Sequence, residues 1–162
     1  SQIINLRNDL PIKSLRGNVD TRIKKLREKE FDAIILSVAG LKRLSLDHLI
    51  SFIFSEDEIL PASCQGAIGI QMKSNNDDLK SFLSPLNHQL TEDLCLIERD
   101  VLMGIKANCN SPIGILAKNE NNRIKLQCDI FNHDGNKIYS NTLFDMYSHT
   151  SEIGKKWVKI FC

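Results

Sequence analysis

The sequence predicts an α/β region followed by a small α+β module, and two observations lead to this fold class. In residues 1–60, short apolar runs alternate with charged stretches of helical spacing, as strands and helices do in α/β proteins. From residue 86 onward, one long amphipathic helix precedes three strand candidates and a last helix. That order is typical of a three-stranded antiparallel sheet covered by helices.

The first region contains two predicted strands, each followed by a helix. Residues 12–15 form a brief strand candidate, and Asn18 is placed to cap a helix in which Val19, Ile23 and Leu26 share one face. Residues 32–38 are an apolar run of the kind found in a strand buried on both faces. A short helix over 41–44 follows, so some parallel pairing is expected.

A second pair of strand candidates covers residues 58–60 and 67–72, joined by a turn. Beyond it, 75–78 are polar and linker-like, and a short helix over 79–83 precedes Pro85. We place a domain boundary near residue 85. The chain thus divides into a partial α/β domain, a return strand with a hinge or linker, and a C-terminal α-β-β-β-α module, over residues 1–60, 61–85 and 86–162.

The long helix of the C-terminal module is predicted by an apolar stripe with steps of three or four residues: Leu86, Leu90, Leu94, Ile97, Val101 and Ile105. The strand candidates are 113–117, 124–131 and 138–144, with Asp134 and Gly135 in the last hairpin turn. The middle strand alternates, which places on one face Ile124, Leu126, Cys128 and Ile130. A final helix capped near Thr150 or Ser151 places on one side Ile153, Trp157 and Ile160.

Composition excludes several classes of protein. The chain has 162 residues, is 42% hydrophobic, and balances 21 Lys and Arg against 20 Asp and Glu. This apolar content argues against disorder, and no run approaches the roughly 20 apolar residues of a membrane span. The near-neutral charge argues against nucleic-acid and membrane partners, as does the lack of aromatic residues between Arg16 and Lys29. Any anion site must therefore be local.

The five cysteines are scattered and form no C-x-x-C pair. This pattern argues against a disulfide scaffold and a structural zinc site, predicts no metal ligands, and favours a reducing cytoplasm. Cys95 and Cys128 fall on apolar faces and are interpreted as core residues. Cys109 lies in a polar loop, which makes it a candidate for covalent chemistry, with an incidental free thiol as the alternative.

The densest polar motif is RGNVDTR, at residues 16–22. A Gly-Asn turn that opens a helix presents free backbone N–H groups, and Arg16 and Arg22 add guanidinium groups that match carboxylates or phosphates. The alternative is a solvated helix face, because several Lys and Arg residues follow. The carboxylates on the long helix, Asp93, Glu98 and Asp100, are interpreted as solvated, and the four histidines as surface residues.

Five segments, in order along the chain, closely resemble porphobilinogen deaminases, also called hydroxymethylbilane synthases. They are SLRGNVDTRIKKL (14–26), FDAIILSVAGLKRL (31–44), LPASCQGAIGI (60–70), LNHQLTEDLCLIERDVL (86–102) and NCNSPIG (108–114). The resemblance spans most of the chain. It implies a transferase of haem and tetrapyrrole biosynthesis that condenses four porphobilinogen units head to tail and releases ammonia at each step.

The resemblance also implies a three-domain protein. Two of its domains are α/β and resemble periplasmic binding proteins, and the third is small with an antiparallel sheet. Residues 1–60 would be part of domain two, 61–85 the return strand to domain one and the hinge, and 86–162 domain three. The family's catalytic Asp has no match here, so we expect a C-terminal portion that lacks most of domain one and is inactive by itself.

The resemblance assigns the cofactor site residue by residue. Cys109 would hold a dipyrromethane cofactor through a thioether. Arg16, Arg22 and Arg43 would meet the carboxylates of the cofactor and the growing chain, and Gln65 and Gly66 would contact cofactor or substrate. The partner is the small molecule porphobilinogen, in a full-length enzyme expected to be monomeric. A chain without domain one would expose its former interfaces, including 61–72, and self-associate.

Two departures from the family pattern stand out. Ala107, Asn108 and Asn110 surround Cys109, where the family usually has Gly-Gly or similar residues before the cysteine and Gln after it. Cys64 stands where the family commonly has Gly, so a positive φ there would strain it, and its thiol could be a second reactive one. The alternative function is a non-catalytic α/β module that binds small carboxylates through the Arg-Gly-Asn turn.

Overall fold

The computed structural model describes residues 1–108 and 111–161, with only the backbone of Ser151 and Phe161. The C-terminal part contains five main elements, and the predicted α-β-β-β-α order is confirmed. They are α5 (Gln89–Gly104), β1 (Ile113–Glu120), β2 (Arg123–Phe131), β3 (Lys137–Met146) and α6 (Thr150–Phe161). The strands form one antiparallel sheet in the order β1-β2-β3.

Two tight turns set the register of this sheet. Glu120 pairs with Arg123, which leaves Asn121 and Asn122 as a two-residue loop with φ of 52° and 65°. Positive φ at both positions suits the right-handed twist of a hairpin, and asparagine tolerates it. Between β2 and β3, Gly135 has φ 87°, so the turn predicted from Asp134 and Gly135 is confirmed.

One hydrophobic core lies between the sheet and the two long helices. The predicted face of β2 is buried, and it packs against Ile97 and Val101 of α5 and Ile153 and Trp157 of α6. Ile160, predicted on the same side of α6, is 57% exposed. Gly154 and Val158 of α6 also face α5, so the buried face of α6 is centred away from Ile160.

Asp145, near the end of β3, joins the sheet to α6. Its carboxylate accepts a hydrogen bond from Lys156 Nζ at 2.6 Å and one from the Met146 amide at 2.8 Å. The His149 ring nitrogen Nδ1 lies 2.8 Å from the same carboxylate. The Lys156 contact first, and then the others, hold the pKa of Asp145 well below its ordinary range.

We expect Asp145→Asn to lower the melting temperature at neutral pH, because the amide loses the ion pair with Lys156. A pKa that is lower in the folded protein than in the unfolded chain stabilises the fold at pH values above the ordinary Asp pKa of about 4. This stabilisation is lost as the pH falls from that ordinary pKa to the lower pKa of the folded protein. The difference between wild type and variant should therefore shrink in thermal unfolding measured from about pH 7 down to about pH 2. A difference that stays constant over that range would contradict this role.

The N-terminal part contains four helices: α1 (Gln2–Leu6), α2 (Val19–Arg27), α3 (Val38–Arg43) and α4 (Asp77–Leu83). Three of them were predicted, and α1 was not. Asn18 caps α2 as expected, since its Oδ1 accepts a hydrogen bond from the Thr21 amide at 2.9 Å. Short 3-10 turns occur at Asp47–Leu49, Ser84–Leu86 and Tyr147–His149.

The strands predicted in the N-terminal part are wrong in this structure. Residues 12–15, 32–38, 58–60 and 67–72 form no ladder with one another, and Val38 instead begins α3. A strand buried on both faces needs paired neighbours and covering helices, and the described part of the chain supplies neither for these runs. Several of their apolar side chains are exposed, Ile35 by 58% and Ile68 by 82%, whereas Leu60 is buried.

Among the described residues, no helix combines the length and apolar character that crossing a membrane would need.

Candidate functional site

The Arg-Gly-Asn turn has the local geometry of an anion site. Gly17 has φ 116°, a value that favours glycine, and Asn18 then caps α2. The Nε atom of Arg22 donates to the Gly17 carbonyl oxygen at 2.8 Å, which holds its guanidinium beside the turn. Arg16 is exposed on the other side of Gly17. The Arg22 guanidinium is therefore placed near the N-terminus of α2, where the helix dipole favours an anion, and Arg16 stands two residues before the cap in the sequence.

Helix α3 lies beside this turn. A Cβ built at Gly40 would lie 3.9 Å from the Val19 side chain in the first turn of α2. The exposed Arg43 is the last residue of α3. Within residues 1–108 and 111–161, no ion pair involves Arg16, Arg22 or Arg43. Their positive charges are thus not neutralised by the described carboxylates.

Gln65 and Gly66 lie in a tight double turn. The Gln65 amide donates to the Ala62 carbonyl at 3.0 Å, and the Ala67 amide donates to the Cys64 carbonyl at 3.1 Å. Gly66 has φ 90°, and Cys64 has φ 57°. Position 64 thus has the positive φ that was the condition for strain at a non-glycine residue. Both Gln65 and Gly66 are exposed.

The buried carboxylate of Glu98 connects this turn to the C-terminal module. Glu98 is only 5% exposed, and its Oε2 accepts a hydrogen bond from the Cys64 amide at 2.6 Å. Its Oε1 accepts one at 2.8 Å from the Ala117 amide, on the edge of β1 that faces away from β2. Burial raises the pKa of Glu98, while the hydrogen bonds from Cys64 and Ala117 act in the opposite direction.

The sequence interpretation of Glu98 as a solvated helix charge is wrong. A signal was available, because Glu98 stands four residues after Leu94 and three before Val101, on the edge of the apolar stripe of α5. Its partners could not be found from spacing, since they lie 34 and 19 residues away in the sequence. Glu98 is a positioning residue for the turn that carries Gln65 and Gly66.

The chain just before this turn also docks on the edge of β1. The Ile115 amide donates to the Pro61 carbonyl at 2.9 Å. The side-chain amide of Gln2 makes two hydrogen bonds with the backbone of Leu60. Its Nε2 donates to the Leu60 carbonyl at 2.7 Å, and its Oε1 accepts from the Leu60 amide at 2.9 Å. Gly114 permits this approach, because a Cβ there would lie 2.6 Å from Leu60 Cβ.

We expect Gly114→Ala to destabilise the fold by about 1 kcal/mol, because the added methyl group pushes the 60–61 segment off β1. The loss is limited since that segment can move outward. Urea unfolding followed by the fluorescence of Trp157, the single tryptophan, measures it. Gly69→Ala is the matched control, because a Cβ at Gly69 meets no atom within 4 Å. Equal stability of the two variants would contradict the docking contact.

Cys109, the predicted attachment cysteine, and Asn110 lie outside the described residues. The flanking residues contact each other: the Asn108 amide donates to Ser111 Oγ at 3.0 Å, and the Ser111 amide donates to the Asn108 carbonyl at 3.0 Å. Neither Ala107 nor Asn108 has a positive φ, so no glycine is required at either position. The loop joins the end of α5 to the start of β1.

The candidate residues thus fall into two groups. Gln65 and Gly66 lie in a turn that Cys64 and Pro61 hold against α5 and β1, the two elements that the Cys109 loop connects. Arg16 precedes α2, Arg22 lies on α2 and Arg43 lies on α3. No hydrogen bond or ion pair among the described residues joins these arginines to the first group. Two open surface pockets have volumes of about 460 and 560 Å³. The first is lined by residues within 73–78 and the second by residues within 42–53, and none of the candidate residues lines either pocket.

Comparison with known proteins matches both halves of the chain to one family. Residues 1–81 match the family model described as porphobilinogen deaminase, dipyromethane cofactor binding domain. Residues 93–160 match the model described as porphobilinogen deaminase, C-terminal domain. The chain belongs to the porphobilinogen deaminase family. The resemblance seen in the five sequence motifs is confirmed.

A curated relative supports the same family. The porphobilinogen deaminase of Roseiflexus sp. (strain RS-1) is 41% identical over 137 residues, which is 85% of this chain and 45% of the relative. The chain therefore spans about half the length of this member of the porphobilinogen deaminase family.

Proposed function

We propose that this chain serves in a hydroxymethylbilane synthase, the transferase of tetrapyrrole biosynthesis that joins four porphobilinogen units. The observation that carries the proposal is the pair of family matches in order along the chain, to the cofactor binding and C-terminal domains. The chain by itself should not turn over porphobilinogen, because no residue in it matches the family's catalytic Asp. A reducing cytoplasm suits the free thiol on which attachment depends.

The residues present fit a dipyrromethane cofactor. Its acetate and propionate groups are carboxylates, and the guanidinium groups of Arg16, Arg22 and Arg43 have no ion-pair partner among the described residues. The Cys109 thiol would hold the cofactor as a thioether. When bound, the group supplies the pyrrole end to which the first substrate unit is joined.

The chain's own residues would bind and orient this group. Arg22 is held to the Gly17 carbonyl at 2.8 Å, so its guanidinium is ordered before any anion arrives. Arg16 can approach the same anion from the other side of the turn. Glu98 would fix the Gln65 and Gly66 turn beside the elements that carry Cys109. A local cationic cluster on a chain of net charge +1 suits a polyanionic product.

Intact-mass measurement of the protein made in cells from its complete reading frame tests the attachment. We expect the wild type to carry the added mass of two pyrrole units and Cys109→Ser to lack it. Arg16→Ala and Arg22→Ala should reduce the fraction that carries the adduct. Cys128→Ser is the matched control, because Cys128 is buried and should leave the adduct in place. A wild type without the adduct would contradict the proposal.

A second candidate is a non-catalytic module that binds small carboxylates, and the unpaired arginines at the Gly17 turn favour it. It predicts an unmodified Cys109 and saturable binding of a dicarboxylate such as succinate, weakened by Arg16→Ala and Arg22→Ala. Calorimetric titration of the chain measures this binding. A covalent adduct on Cys109 would decide in favour of the synthase.

A further inference from the structure

The Cys64 thiol contacts the backbone of Cys95 where the turn at 62–66 packs on α5. Cys64 Sγ donates a hydrogen bond to the backbone carbonyl oxygen of Cys95 at 3.6 Å. Both cysteines are free and partly exposed. They are 31 positions apart in the sequence, so their contact depends on the docking of the turn.

The backbone of Cys64 is held in place by a separate contact. Its amide donates to Glu98, which lies one helical turn beyond Cys95 on α5. The same stretch of α5 therefore fixes the main chain of residue 64 and holds its thiol against the backbone of Cys95. Cys128, the other cysteine within the described residues, is fully buried in the core of the sheet and cannot meet a solute.

We propose that Cys64 and Cys95 form a reversible disulfide by exchange with a low-molecular-weight disulfide such as oxidised glutathione. The bond would tie the turn that carries Gln65 and Gly66 covalently to α5. The inference does not rest on the proposed function, because it involves neither Cys109 nor the arginines.

The exchange takes place in two steps. The Cys64 thiolate attacks one sulfur of oxidised glutathione, forms a mixed disulfide and displaces one glutathione thiolate. Cys95 then loses its proton to solvent, attacks the Cys64 sulfur and displaces the second glutathione thiolate. Two protein thiols are oxidised, and one glutathione disulfide is reduced to two thiols. Burial, together with the neighbouring Cys64, raises the pKa of Cys95 to about 11, so Cys95 resolves the mixed disulfide and does not start the exchange.

Peptide mapping of the chain after incubation with oxidised glutathione tests the bond. After free thiols are alkylated, trypsin releases Cys64 in peptide 44–73, Cys95 in 81–99 and Cys109 in 107–118, each with one cysteine. We expect the first two peptides to be found linked, with a mass two hydrogens below their sum, and a dithiol reductant to separate them. Separate glutathione adducts on the two peptides, or linkage of either to 107–118, would overturn the proposal.

Thermal unfolding gives a second measurement, because a bond between residues 31 positions apart restricts the unfolded chain. Oxidised glutathione should raise the melting temperature of the wild type, and a dithiol reductant should reverse the shift. Cys64→Ser and Cys95→Ser should show no shift, whereas Cys162→Ser, as the control, should behave like the wild type. The same shift in Cys95→Ser as in the wild type would overturn the proposal.

Discussion

Glu98→Ala is expected to destabilise the fold by about 3 kcal/mol, the largest loss predicted for a single side chain here. The change removes the acceptor of two backbone amides, those of Cys64 and Ala117, and leaves the Ala117 amide buried without its partner. Urea unfolding followed by Trp157 fluorescence measures the loss. Glu92→Ala is the matched control, an exposed glutamate on the same helix, and should change stability by less than about 1 kcal/mol.

Glu98→Gln separates the charge from the hydrogen bonds. The glutamine side chain retains one acceptor oxygen but turns its NH2 group toward the second backbone N–H. We therefore expect a free energy of unfolding between those of the wild type and Glu98→Ala. The raised pKa of Glu98 means that the folded protein holds this proton to higher pH than the unfolded chain. The contribution of Glu98 to stability is therefore greatest at low pH. It falls as the pH rises from the ordinary pKa of a glutamate to the raised pKa of Glu98 in the folded protein.

The stability gap between wild type and Glu98→Gln should consequently be wider near pH 4 than near pH 8, as measured by urea unfolding at both pH values. Glu98→Ala should also increase the exchange rate of the Cys64 and Ala117 amides with deuterated solvent. A gap that is the same at both pH values, with unchanged amide exchange, would contradict the bridging role of this carboxylate.

Local periodicity in the sequence predicted the C-terminal module well. The apolar stripe of α5 and the alternation of β2 each reflect one buried face, and that face is decided by residues within the same element. The N-terminal strands failed for the opposite reason. An apolar run such as 32–38 shows that burial is needed, but a strand also needs partners, and none of the described residues pairs with this run.

The same distinction applies to the candidate site. The Gly17 turn and the Asn18 cap could be predicted because their contacts span only a few residues. The family pattern, in which glycine is common at position 64, indicated that a positive φ there would strain Cys64, and Cys64 has φ 57°. The contacts of Cys64 with Cys95 and Glu98 could not be predicted, because they form only when the turn docks on α5.

The contact between α5 and α6 depends on glycine at position 154. A Cβ built there would lie 2.7 Å from the backbone carbonyl oxygen of Ile97 and 2.6 Å from Asp100 Cβ. Gly154→Ala should gain about 1 kcal/mol from helix propensity, yet the clash requires the two helices to separate around Trp157. We expect a net destabilisation of about 2 kcal/mol in urea unfolding.

Two comparisons isolate the backbone contact from helix propensity. Lys155→Ala, at the exposed neighbouring position of α6, should change stability by less than about 0.5 kcal/mol. Gly104→Ala places its Cβ 2.3 Å from a methyl group of Val158, so adding Val158→Ala should recover part of its loss. No such rescue is expected for Gly154→Ala, because its obstacle includes the Ile97 carbonyl. A Gly154→Ala protein as stable as the wild type would show that the helices can separate freely and that close packing does not fix their spacing.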